Sequence, residues 1–73
     1  MNHEEFIEDV VNELDEIVNE EIRGIVDDIN IAITCDSLED IFANTVSALS
    51  TIDRLRTKLT KIKSKTLDCM KKT

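Results

Sequence analysis

A chain of 73 residues with no Pro, Trp or Tyr, one Gly and two Phe has room for one domain and a thin core, because a domain near this size hides only about 60% of its unfolded surface. Pro and Gly are the main breakers of helices, so their scarcity argues against a sheet built on tight turns and for long helices. A hydrophobic share of 41%, periodically placed, argues against disorder despite a charged share of 34%.

The first predicted element is a helix over about residues 3–33. Glu4, Glu5, Glu8 and Asp9 in its first turns suit a positive helix N-terminus. Ile7, Val11, Leu14, Val18, Ile22, Ile25, Ile29 and Ile33 recur in a 4-3-4 spacing. Eleven residues in three turns give about 3.67 per turn, hence a nearly straight, slightly right-handed seam. Phe6, Val10 and Ile17 form a second stripe on one flank, where Gly24 also falls. A helix-interior Gly costs about 1 kcal/mol relative to Ala, so Gly24 marks either close approach of another helix or a tolerated weakness. Ile29, Ile31 and Ile33 alternate with Asn30, Ala32 and Thr34 as in a strand. No second strand-like run exists to pair with them, so they read as the last turns of the helix.

A bend is expected over about residues 34–37. Asp36 with Glu39, or Ser37 with Asp40, places a short oxygen side chain at an N-cap with an acid three residues on, and the first is close to a capping box. The second helix, over about 37–71, carries a heptad pattern: Leu38, Ile41, Thr45, Ala48, Ile52, Leu55, Leu59, Ile62, Thr66 and Cys69. Phe42, Val46 and Leu49 add a stripe near the bend, and Lys71 and Lys72 suit a helix C-terminus.

These elements predict an all-α fold: one domain over 1–73, an antiparallel, coiled-coil-like two-helix hairpin in which the two seams meet. Leu55 and Leu59 are expected to face Val11 and Leu14. Residues 1–35 hold eleven acids and one base, a net of −10; residues 36–73 hold five acids and eight bases, a net of +3. The hairpin would lay acidic residues 4–21 along basic residues 54–72. Each exposed pair contributes only about 0.2–1 kcal/mol, so the charges fix orientation and the seams supply stability.

Such a hairpin leaves one side of each helix bare, so completion to a bundle by self-association or a partner helix is expected. Leftover apolar patches mark partner surfaces, which singles out Phe6, Val10, Ile17, Phe42, Val46 and Leu49 as partner-binding residues. The two stripes lie at opposite ends, so a two-fold, head-to-tail dimer would set the Phe6 patch against the Phe42 patch.

No catalytic, cofactor or metal site is expected. Carboxylates lie at i,i+4 in Glu4/Glu8, Asp9/Glu13 and Glu16/Glu20, but di-metal carboxylate bundles use an inward Glu-x-x-His, and the one histidine is His3. Cys35 falls at the bend and Cys69 near the far tip, about 45 Å apart along the helix and beyond the ~7 Å reach of a disulfide. Free thiols suit a reducing, cytoplasmic setting. The acidic N-terminus lacks the apolar run of a signal peptide, and no stretch of about 18 apolar residues could span a membrane.

The composition thus points to a non-enzymatic protein–protein interaction subunit: an adaptor, assembly factor or co-chaperone. An alternative is a regulator binding nucleic acid through the basic face of the second helix (Arg54, Arg56, Lys58, Lys61, Lys63, Lys65). The layout is similar, in architecture alone, to small hairpins that dimerise into four-helix bundles and bind RNA. The net charge of −7 opposes polyanion binding, and no Tyr or Trp is available for stacking. A second alternative is an acidic inhibitor occupying a basic groove of a nucleic-acid-binding protein.

Overall fold

A computed structural model describes residues 3–72. Among them the fold is all-helical, with two helices joined by a short linker. The first helix is α-helical over His3–Ile17, π-helical over Val18–Ile22 and α-helical again over Arg23–Thr34. The second is one α-helix of 34 residues, Leu38–Lys71. The strand-like isoleucines at 29, 31 and 33 are helical, as the lack of a pairing strand requires.

Local side chains fix both sides of the linker. Ser37, extended at φ −107° and ψ 133°, accepts the Asp40 N–H at 3.4 Å through its hydroxyl oxygen and donates to Glu39 Oε2 at 2.9 Å. This satisfies one of the orphan donors of the helix start. On the other side the Thr34 hydroxyl (2.9 Å) and the Cys35 thiol (3.1 Å) both donate to the Ile31 carbonyl, so the first helix ends without a glycine.

The second helix runs back beside the first. Asn44 Nδ2 reaches Cys35 Sγ at 3.9 Å, Ser47 donates to Asp28 at 2.8 Å, Lys58 pairs with Glu21, and Lys65 pairs with Glu13 at 2.5 Å. The body measures 54 × 16 × 11 Å.

The π-helical turn has a geometric consequence. From Ile7 to Ile33 the apolar seam takes seven steps to cover 26 residues, about 3.7 per turn. A regular helix turns once per ~3.6 residues, so it would carry Ile33 about 80° away from Ile7. A turn bonded to the carbonyl five residues back takes in one extra residue and sets the rest of the helix back by most of one ~100° step. The two rotations nearly cancel, and the seam, apart from half-buried Ile25, stays on one side of the helix.

That side does not face the second helix. The expected meeting of the two seams is corrected by the burial pattern: Val11, Leu14, Val18, Ile22 and Ile29 are exposed, and Ile33 is 74% exposed. The inward line runs instead through Phe6, Val10, Glu13, Ile17, Glu21, Ile25, Asp28 and Ala32. From the second helix it is met by Asn44, Ala48, Thr51, Leu55, Ile62, Thr66 and Cys69. Leu55 is half-buried between the helices, whereas Leu59, Val11 and Leu14 are not covered. The cross-helix ion pairs supply the reason. Glu13 and Glu21 share a helix face with Ile17, at i±4, and pairing them with Lys65 and Lys58 turns that face inward. The seam residues Leu14, Val18 and Ile22, each one position on, are carried about 100° round the helix. Among the described residues Ile17, 4% exposed, is the most buried apolar one, and no side chain is completely enclosed.

Candidate interaction surface

The helix pair has two unlike faces. One is charged: Glu13, Glu16, Lys58, Lys61 and Lys65 surround the contact of Ile17 with Ile62. Arg54 on the same flank donates to the Thr51 hydroxyl at 3.2 Å, which itself donates to the Ser47 carbonyl at 3.2 Å. Glu21 is the buried acid of this face. The bond from the Lys58 ammonium holds its carboxyl below the usual carboxylate range, against the opposing effect of burial, and Glu21 in turn raises Lys58. The second carboxylate oxygen, Oε2, is buried without a hydrogen-bond partner. Away from this face, Glu39 is also lowered, by its own backbone N–H and then by the Ser37 hydroxyl.

The other face is apolar and open. Near the linker a groove is lined by Ile29, Ala32 and Ile33 of the first helix and by Asn44, Thr45, Ala48, Leu49 and Ile52 of the second. It continues along Ile52, Leu55 and Leu59, rimmed by Arg56, Thr60 and Lys63. It ends at His3, Phe6, Ile7, Thr66, Cys69 and Met70. On the first helix Ile7, Val11, Leu14, Val18, Ile22, Ile29 and Ile33 of the seam are exposed, whereas Ile25 is half-buried.

This exposure is large for the size of the protein. The accessible surface is 5784 Å² for 8.3 kDa, whereas a folded monomer of that mass presents about 4,600 Å². The excess, about 1,200 Å² of total surface, goes with the elongated 54 × 16 × 11 Å body.

The six residues expected to bind a partner divide between environments. Leu49 lines the apolar groove, and Phe42 (72% exposed) and Val46 lie open near it. Phe6 and Val10 are half-buried and Ile17 is enclosed between the helices. The structure therefore turns the Phe6–Val10–Ile17 stripe inward and presents the longer seam in its place. The signal that could have found this is the i,i+4 spacing of Glu13, Ile17 and Glu21 matched with the 4-3 spacing of Lys58, Ile62 and Lys65.

Among the described residues no group of three or more His, Cys, Asp or Glu side chains could hold a metal ion, and no helix is long and apolar enough to cross a membrane. Cys35, in the linker, and Cys69, near the opposite end, are free thiols. The fold and surface together define an all-helical, two-helix chain with one uncovered apolar face. No family model, curated protein or solved structure matches it.

Proposed function

We propose that this chain is a non-enzymatic helical interaction subunit: an antiparallel hairpin that acts as an adaptor, assembly factor or co-chaperone by packing its apolar face into a larger helical bundle. The observation that carries this reading is the series of open apolar grooves from Ile7 and Met70 at one end to Ile33 and Leu49 at the other. Apolar surface of this extent is stabilised only when another apolar surface removes it from water. The free, widely separated thiols suit a reducing compartment such as the cytoplasm.

Nucleic-acid regulation draws less support, because Lys58 and Lys65 of the basic run are already paired with Glu21 and Glu13. The same pairs occupy acids that an inhibitor of a nucleic-acid-binding protein would present.

The test is a comparison of the parent with a Leu49→Glu, Ile52→Glu variant by sedimentation velocity, by co-isolation from native extract and by far-ultraviolet circular dichroism. The parent is expected to associate, with itself or with another helix, and the variant to lose association while keeping its helix content. If the substitutions change neither self-association nor co-isolation, the reading fails.

A further inference from the structure

We propose that the apolar face is covered by a second copy of this chain, with a two-fold axis along the length of the hairpin. The linkers then lie at the same end, and the first helix of each copy lies over the second helix of the other. The proposal rests on the interaction reading above and adds the occupant and its orientation.

Charge selects the arrangement. With linkers together, each first segment (1–35, net −10) lies between two second segments (36–73, net +3). The head-to-tail alternative sets first helix against first helix, −10 beside −10, and like charge in juxtaposition is a strong determinant against a wrong partner geometry. It also brings Arg56, near the middle of the 54 Å body, against Arg56 of the other copy.

Position agrees with charge. The basic residues of the second helix fall on two flanks: Lys58 and Lys65 are spent on Glu21 and Glu13, whereas Arg56 and Lys63 rim the apolar face and make no ion pair among the described residues. On the first helix Asp15 borders the same face, at i−4 from Asn19 and i−3 from Val18. It accepts a 3.4 Å hydrogen bond from Asn19 Nδ2. Lys65 is level with Glu13 and Lys58 with Glu21, so Lys63 is level with residues 15–16. The proposed two-fold therefore places Lys63 of one copy beside Asp15 of the other, twice.

The test measures mass by light scattering over a concentration series, and the distance between nitroxide labels on Cys35 in a Cys69→Ser background. The expected result is a mass twice 8.3 kDa with a label separation under about 30 Å, the cross-section of a four-helix bundle. Lys63→Glu and Asp15→Lys should each weaken the dimer about tenfold, and the double variant should recover most of the loss. A dimer with labels near the 54 Å body length, or charge reversals without mutual rescue, overturns the arrangement and leaves the interaction reading intact. A monomer throughout, or a larger oligomer, overturns the second-copy proposal, and the Leu49, Ile52 comparison then decides the broader reading separately.

Discussion

Lys58 Nζ of the second helix bonds Glu21 Oε1 inside the π-helical turn of the first, and Glu21 is 6% exposed. The carboxylate is thus held in the seam with one oxygen paired and the other, Oε2, unsatisfied. A buried pair of this kind is weak evidence for stability, because desolvation offsets much of the attraction; breaking it by removing one partner is costly. Its value here is positional. Moving the second helix by one turn would set Glu21 against Arg54 or Ile62 in place of Lys58, and the latter leaves a buried carboxylate without a cation.

The pair sets a pH window. Glu21 is lowered from 4.5 in the folded protein, so its contribution is complete above that value and is lost as pH falls through the lowered one. Lys58 is raised from 10.5, so its contribution is complete below that value and is lost at higher pH. Thermal unfolding followed by circular dichroism between about pH 6 and about pH 3 should show the parent losing stability on the acid side. Glu21→Gln should flatten part of that loss. An unchanged acid slope in the variant would remove Glu21 from the account.

The π-helical turn makes a second prediction, about length rather than chemistry. Such a turn accommodates one residue beyond the regular helix, so deleting Asn19 should restore a regular α-helix with the flanking faces still aimed as they are. Helix content and melting temperature should hold or rise. Deleting Asn12, outside the turn, should rotate everything on one side of it by about 100° and lower the melting temperature. Equal damage from both deletions would show that the turn does not absorb the extra residue.

The inner line, not the apolar seam, should govern the stability of the single chain. Ile17 and Ile62 meet between the helices, and Ile62→Ala should cost about 2 kcal/mol or more, the lower part of the usual range for large-to-small core changes. Leu59, 42% exposed, should cost clearly less in a single chain when changed to Ala and should act chiefly on association. Urea unfolding of dilute and concentrated samples separates the two effects. A greater loss at Leu59 than at Ile62 in dilute samples would reverse the assignment of faces.

The helices and the linker were legible because each rests on local chemistry, periodicity and absence of breakers; the cap was legible only as Asp36 or Ser37, each an oxygen side chain three residues before an acid, and it is Ser37 that caps. The facing of the helices was not. Apolar spacing identifies a stripe that must leave water, but whether it does so against its own second helix or another chain depends on which competing stripe fits better. In this chain the stripe carrying Ile17 also carries Glu13 and Glu21, whose pairing partners Lys65 and Lys58 lie on the second helix of the same chain. The longer seam was left for the outside. The π-helical turn was legible only as the slight excess of 26 residues over seven regular turns. Cys35 and Cys69 were placed at opposite ends by topology alone, and they are.

Gly24 tests whether the charged flank near the π-helical turn is open. Sequence alone permitted two readings of it, a contact point for another helix or a local weakness. A methyl group built there meets nothing within 4 Å, and the residue has ordinary helical geometry, with no positive φ recorded. Close approach within the chain therefore does not require glycine. Replacing it by Ala removes backbone freedom from the unfolded chain without strain in the folded one, so Gly24→Ala should stabilise by about 0.5–1 kcal/mol. In the proposed dimer the second copy covers the opposite face, so the gain should be the same in dilute and concentrated samples. A loss of stability that grows with concentration would mean that another helix packs on the Gly24 flank, and the covered face would have to be reassigned.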